Sequence, residues 1–224
     1  FLRISAGTGT AETVLITGGA CTSGASSGTV VFTAANSHSG AYTIASASGG
    51  IFEAMNTLPV TGGKVQLPSG TVNVYGTLIV GKGTATTQST INAISLVGQG
   101  SGRAVDIAQP TLGGTTLLWG GASGGTVLQV LGPIGNVEIR DLMIDGNVGG
   151  ADIGLDVVHS YLSTFRNLNI TGWNAIGLRS QAVDFAFPLM VAGNNSNSFD
   201  TIEVSGGYGG AANIACQFGQ AGVD

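Results

Sequence analysis

Short runs in which apolar and polar residues alternate fill most of this 224-residue chain. Such alternation is typical of β-strands that bury one face. Gly, Ser, Asn and Asp separate the runs, and these residues favour turns. The pattern predicts an all-β protein built from many short strands.

One segment departs from this pattern and predicts a short helix. Ile51, Ala54, Met55 and Leu58 follow the spacing i, i+3, i+4, i+7, which places them on one helical face. Pro59 follows them and ends the predicted helix. A lone helix ahead of many short strands suggests the cap of an elongated β-structure.

The residues after this helix carry a resemblance to a known family. The pattern G-G-x-V-x-L-P-x-G-x-Y is matched at Gly62, Gly63, Val65, Leu67, Pro68 and Gly70, with Val72 in place of the tyrosine. The passage resembles the entry to the pectate-lyase-like superfamily, which includes polysaccharide-degrading enzymes and phage tail-spike proteins. The resemblance implies a right-handed parallel β-helix (solenoid) with an N-terminal capping helix. We expect a β-rich N-terminal arm at 1–49 and the parallel β-helix at 50–224.

An internal repeat favours the same fold. Residues 140–146 (Arg-Asp-Leu-Met-Ile-Asp-Gly) align with residues 166–172 (Arg-Asn-Leu-Asn-Ile-Thr-Gly), and 199–206 form a third copy. The repeat predicts that Leu142/Ile144, Leu168/Ile170 and Ile202/Val204 stack in register. It predicts a second stack from Leu155/Val157, Ile176/Leu178 and Ile214/Cys216.

Composition narrows the possible partners. Charged residues make up only 8% of the chain, the formal net charge is −5, and the seven Lys and Arg are scattered. No basic stripe is available to neutralise phosphates, so we expect no nucleic-acid partner. No apolar run approaches the ~18 residues of a membrane span, so we expect none.

The two cysteines, Cys21 and Cys216, fit no zinc or redox spacing, so we expect no metal site and no cofactor. Two separate thiols are favoured, and a bridge between neighbouring copies is the alternative. The chain starts at Phe1 without a Met or signal peptide, which suggests a mature or excised segment. Abundant Ser, Thr and Gly with little Lys favour an extracellular location or the surface of a cell or virion.

The enzymes of this superfamily act on long sugar chains, and polygalacturonases carry Asn-Thr-Asp, Asp-Asp, Gly-His-Gly and Arg-Ile-Lys motifs. None of these occurs here. For a polysaccharide lyase or glycoside hydrolase, the candidate catalytic carboxylates are Asp145, Asp152 and Asp156. A structural role is the competing interpretation, because Asp145 closes a turn and Asp156 fits a surface charge paired across strands.

Six residues are candidates for binding a sugar, two charged and four aromatic. Arg179 and Glu203 are expected to face a groove together with Asp156. The aromatic rings of Trp173 and Tyr161 could stack on pyranose faces, as could those of Trp119 and Tyr208. For Trp173, packing over a corner of the β-helix is an equally good interpretation.

These observations support two functions. In the first, the protein engages a polysaccharide outside the cell, with or without cleaving it. In the second, it is a non-catalytic structural subunit of a surface filament, sheath or phage tail spike. Here copies assemble end to end, the N-terminal arm covers the last strands of a neighbour, and Cys21 approaches Cys216 of that neighbour.

Overall fold

The computed structural model describes residues 1–21, 28–81, 91–102, 114–182, 196–207 and 213–220. The first part of the chain is antiparallel. A three-stranded sheet has the order β2-β1-β5 and a hairpin pairs β3 with β4. The strand bounds are β1 Leu2–Thr8, β2 Glu12–Val14, β3 Ile16–Cys21, β4 Gly28–Phe32 and β5 Ser39–Ser46.

Hydrogen bonds join the antiparallel sheet to the segment around Tyr75. Tyr75 N–H donates to Ala47 O at 2.7 Å, and Thr13 Oγ1 donates to Tyr75 O at 3.0 Å. The division of the chain at residue 49 stays a prediction.

A seven-stranded parallel sheet comes next, with the order β16-β14-β12-β10-β7 and with β9 joining β6 to β12. Its bounds are β6 Gly63–Gln66, β7 Gly70–Val74, β9 Ile94–Val97, β10 Thr115–Trp119, β12 Glu138–Asp145, β14 Thr164–Thr171 and β16 Ser198–Val204.

This sheet bends at one position in each of its last three strands. Asp141 (φ 58°), Asn167 (φ 48°) and Thr201 (φ 53°) have left-handed backbones at equivalent places in β12, β14 and β16. Asp and Asn tolerate this conformation better than other side chains do. Before the bend β12 pairs with β9, and after it β12 pairs with β10.

A five-stranded parallel sheet has the order β17-β15-β13-β11-β8. Its bounds are β8 Leu78–Val80, β11 Thr126–Gly135, β13 Ile153–Tyr161, β15 Ile176–Ala182 and β17 Ile214–Gln220. The two parallel sheets share one core of fully buried side chains, among them Leu117, Leu128, Leu142, Ile144, Leu155, Phe165 and Ile170.

The predicted fold class, a right-handed parallel β-helix with an N-terminal capping helix, is wrong. The described strands form two parallel sheets that make an open half-barrel, so the short helix that follows the fifth strand does not cap a solenoid. Alternating apolar residues specify which face of each strand is buried, but they do not specify whether the sheets close into a solenoid.

The predicted register is right in the seven-stranded sheet. Leu142 and Ile144 pair with Leu168 and Ile170, which pair in turn with Ile202 and Val204. In the five-stranded sheet one step is wrong by two residues, because Leu155 pairs with Leu178 and not with Ile176. The pairing of Ile176 and Leu178 with Ile214 and Cys216 is confirmed.

The predicted turn of helix is present as α1 (Ile51–Asn56). Gly50 (φ 84°) precedes it, and Ile51 and Met55 are buried in the shared core. At six residues α1 is far too short to cross a bilayer, and the described residues contain no helix that could do so.

Candidate functional site

The outer faces of both parallel sheets carry rows of polar side chains. On the five-stranded sheet, the strand register places Gln129 beside Asp156 and Asp156 beside Arg179. On the seven-stranded sheet, Thr116, Asn169 and Glu203 occupy one row together with the apolar Met143. The residues on either side of these positions point into the core, because successive side chains alternate between the two faces of a strand.

Asp156 is completely buried and has three hydrogen-bond donors around it. Arg179 donates from Nε to Oδ1 at 2.9 Å and from Nη2 to Oδ2 at 2.8 Å, and Gln129 Nε2 donates to Oδ2 at 3.0 Å. The bond to Asp156 raises the pKa of Arg179 above its usual value. These are the contacts of a buried ion pair, and the catalytic role of Asp156 stays a prediction.

Asp145 and Asp152 lie where the chain turns between the two sheets. Asp145 Oδ1 accepts a hydrogen bond from Asn147 N–H at 2.8 Å, and burial raises the pKa of its carboxyl group. Asp152 Oδ1 accepts from Asn174 Nδ2 at 3.0 Å. No contact among the described residues joins Asp145, Asp152 and Asp156 to one another, so the structure does not bring the three predicted carboxylates together.

The candidate sugar-binding residues are also dispersed. Glu203 belongs to the seven-stranded sheet, whereas Arg179 and Asp156 belong to the five-stranded sheet. The expectation that these three face one groove is therefore wrong. The chain changes sheets between β15 and β16, which the repeat alone does not reveal.

The aromatic candidates are covered by the fold. Trp173 is only 4% exposed and packs in the core, so the expectation of an exposed ring at this position is wrong. Trp119 is equally buried, and its Nε1 donates to Ala122 O at 3.0 Å. The half-buried Tyr161 ring lies against Gly135, where a Cβ would come within 2.3 Å of it. Tyr208 lies outside the described residues.

A polar groove runs across the outer face of the seven-stranded sheet. Its first part is a cleft of about 540 Å³, lined by Lys64, Gln66, Gln99, Arg140, Asp141 and Asn167. Its second part is a cleft of about 370 Å³, to which Ser101, Asn169, Thr201 and Glu203 contribute. Asn167 lines both clefts, so they adjoin. The groove thus crosses the strands from β6 to β16.

Hydrogen bonds position the side chains in the middle of the groove. Asn167 Nδ2 donates to Asp141 Oδ1 at 2.7 Å, and Ser101 Oγ donates to Asn167 Oδ1 at 3.1 Å. Burial would raise the pKa of Asp141, but hydrogen bonds from Asn167 and Arg140 outweigh this and hold its pKa below the usual value. Asp141 therefore stays ionised at neutral pH.

Charges of both signs flank this centre. Arg140 Nε lies 2.9 Å from Glu138 Oε1, and Arg140 also forms an ion pair with Asp141. Arg166 Nη2 is 3.5 Å from the same Glu138 oxygen. Lys64 and Gln66 are exposed at the β6 end of the groove. The groove therefore presents donors and acceptors without a strong bias to one charge.

The prediction from sequence missed the groove, apart from Glu203. Lys64 and Gln66 lie outside the repeat, and Asn167 occupies a repeat position where the other copies carry Asp141 and Thr201. The available signal was the row of outward polar residues at equivalent places in the aligned copies. The described residues contain no group of three or more His, Cys, Asp or Glu side chains placed to hold a metal ion.

Comparison with known proteins yields one similar structure and no family. No family model matches the chain, and no curated protein does. A solved structure described as "Geobacillus virus E2 - ORF18" is 20% identical over 62% of this chain, with a TM-score of 0.46. The chain spans 26% of that structure's length, and a likeness at this TM-score carries no argument about function.

Proposed function

We propose that this protein binds a polysaccharide in the groove on the outer face of the seven-stranded sheet. The observation that carries the proposal is the continuity of the two clefts through Asn167. Together they form an elongated site that crosses several strands, which suits a linear polymer better than a compact ligand.

The chemistry of the lining supports a sugar ligand. Amide groups of Gln66, Gln99 and Asn167 both donate and accept hydrogen bonds, and Asp141 accepts only. Sugar hydroxyl groups also donate and accept hydrogen bonds, so this mixed lining can pair with them. Parallel strands are about 4.8 Å apart, which is close to the length of one pyranose unit in an extended chain. Successive strands can therefore contact successive sugar units.

The mixed charges argue against other polymers. Arg140 and Arg166 share the carboxylate of Glu138, so neither cation is left to neutralise a polyanion by itself. Nucleic acids need a continuous set of unpaired cations. An uncharged or weakly charged glycan fits this groove better.

Binding without cleavage is the form of the proposal that the geometry supports. Asp145, Asp152 and Asp156 do not line either cleft, and each is held by its own partners. A glycoside hydrolase needs two carboxyl groups facing each other across the scissile bond, whereas one carboxylate of the described residues lines each cleft, Asp141 the first and Glu203 the second. In this proposal the protein acts outside the cell or on the surface of a cell or virion. Assembly into a filament or tail spike stays a prediction.

A matched pair of variants tests the proposal. Asn167→Gly keeps the left-handed backbone and removes the side chain shared by both clefts, so we expect about tenfold weaker binding. Asn136→Gly makes the same change at an exposed residue with φ 57° that lines neither cleft, and we expect no loss. Affinity electrophoresis in gels containing galactan, mannan, glucan, alginate or polygalacturonate measures both variants. The proposal is wrong if wild-type protein is retarded by none of these polymers, or if both variants bind as tightly as wild type.

A further inference from the structure

One polar atom in the second cleft is buried without a partner. Asn169 is only 7% exposed and lines the cleft, and its Oδ1 has no hydrogen-bond partner among the described residues. An unpaired buried acceptor costs free energy, on the order of 1–3 kcal/mol. Such a group needs an explanation, and a ligand that supplies the missing donor is one.

The neighbours of Asn169 determine which kind of ligand fits. Glu203 is its register partner on the adjacent strand and also lines the cleft, and its carboxylate can only accept when ionised. Next to it, Asn167 Oδ1 already accepts a bond from Ser101. Glu203 is the one charged side chain among the described residues that line this cleft, so this end of the groove is negatively charged. A carboxylated ligand would be repelled there, whereas a group with O–H donors would be held.

We propose that Asn169 and Glu203 form a subsite for the free hydroxyl groups of a neutral sugar unit, with Asn169 Oδ1 accepting one of them. This inference rests on the proposed function and adds the substrate class, because it excludes uronic acid units from this position. The subsite gives the groove a direction: the Lys64 end accepts varied units, and the Glu203 end requires a neutral one.

The replacement Asn169→Leu separates this role from a structural one. Leucine has a similar size and no polar atoms, so the variant loses the unpaired acceptor and should be as stable as wild type or more stable. Binding of a neutral glycan should weaken about tenfold, because the hydroxyl loses its acceptor. A residue that served only the fold would give the opposite result, with lower stability and unchanged affinity.

Thr116→Val is the matched control. Thr116 lies in the same row two strands away, is 5% exposed, and has an Oγ1 without a partner among the described residues, but it does not line the cleft. This variant also removes a buried unpaired group, so we expect unchanged or higher stability. We expect its glycan affinity to equal that of wild type.

The ligand provides the second half of the test. Calorimetry measures the binding of oligosaccharides from the neutral polymer that wild type binds best. The same compounds are then measured after O-methylation, which removes the hydroxyl donors. Methylation should weaken binding to both proteins, but to wild type about tenfold more than to Asn169→Leu, because that variant has already lost one of the acceptors. A polygalacturonate oligosaccharide should bind wild type more weakly than the neutral one.

The outcomes separate this inference from the proposed function. If no polymer binds wild type, both are wrong. If a polymer binds and Asn167→Gly weakens it, while Asn169→Leu binds normally, the groove stands and the subsite is wrong. Equal losses on methylation for wild type and Asn169→Leu, or a preference of wild type for polygalacturonate, would also overturn the subsite.

Discussion

The outer faces of the two parallel sheets use polar side chains in opposite ways. On the five-stranded sheet, Asp156 is buried and its oxygens are occupied by Arg179 and Gln129. On the seven-stranded sheet, the groove remains open and Asn169 Oδ1 is buried without a partner in the described part of the chain. A row that satisfies its own hydrogen bonds stabilises the fold, whereas a row that does not can bind a ligand.

The comparison predicts its largest effect at Asp156. Replacing it with alanine leaves the partly exposed Arg179 guanidinium and the Gln129 amide without their buried acceptor, so the free energy of unfolding should fall by about 2–3 kcal/mol. Glu138→Ala breaks ion pairs in the groove region in which both partners are partly exposed, and it should cost about 1 kcal/mol or less. Urea denaturation of both variants measures the difference. Equal losses would mean that the two faces do not differ in this way.

A double replacement sharpens the same comparison. Asp156→Leu combined with Arg179→Met removes both charges and fills the space with apolar groups, so no uncompensated charge is left. We expect most of the loss in Asp156→Ala to be recovered, with about 1 kcal/mol remaining for the hydrogen bond of Gln129. A double variant as unstable as Asp156→Ala would show that the hydrogen-bond geometry, and not the unpaired charge, determines the cost.

Acid should lower the stability of the folded protein through protonation of Asp141. Its pKa in the folded protein lies below the 3.8 of an unperturbed Asp, so its contribution to stability is complete above pH 3.8 and is lost as the pH falls through the folded pKa. Asp141→Asn keeps a side chain that tolerates the left-handed backbone but cannot ionise. We expect this variant to be slightly less stable at pH 7 and to lose less stability below pH 3.8.

Thermal denaturation of Asp141→Asn and wild type across this range checks the prediction. The control is Asp200→Asn, an exposed carboxylate on β16 that hydrogen-bonds Thr201 Oγ1 at 3.1 Å. Because this side chain is exposed, we expect its replacement to change stability at pH 7 by less than ~0.5 kcal/mol. Parallel curves for Asp141→Asn and wild type below pH 3.8 would contradict the role assigned to Asp141.

The register of the seven-stranded sheet could be predicted because the repeat carries unlike residues that align in only one way. No other register aligns both Arg140 with Arg166 and Leu142 with Leu168. The five-stranded sheet lacks such markers, and its strands alternate with a period of two. A slip of two residues keeps the apolar face buried, so alternation alone pairs Leu155 with Ile176 wrongly.

The candidate site could be predicted only in part. Alternation correctly indicated that Asp156 points away from the core, and Arg179 is indeed its neighbour. Alternation cannot reveal what covers an outward side chain, so the complete burial of Asp156 was not predicted. The groove joins residues as distant in sequence as Lys64 and Asn167, and only the three-dimensional stacking of strands brings them together.

The smallest expected effect concerns Asp145, which differs from Asp156 in having no cation partner among the described residues. Burial raises its pKa above 3.8, so the fold favours the neutral carboxyl group, and stability is lost as the pH rises through the folded pKa. Asp145→Asn mimics the neutral form and can still accept the bond from Asn147 N–H. We expect it to be more stable than wild type at pH 7 by ~0.5 kcal/mol, the size typical of a change outside the core. The gain should vanish below pH 3.8, where Asp145 is protonated in both states. Urea denaturation at both pH values measures it, and a loss of stability at pH 7 would mean that the charge of Asp145 is needed by the turn.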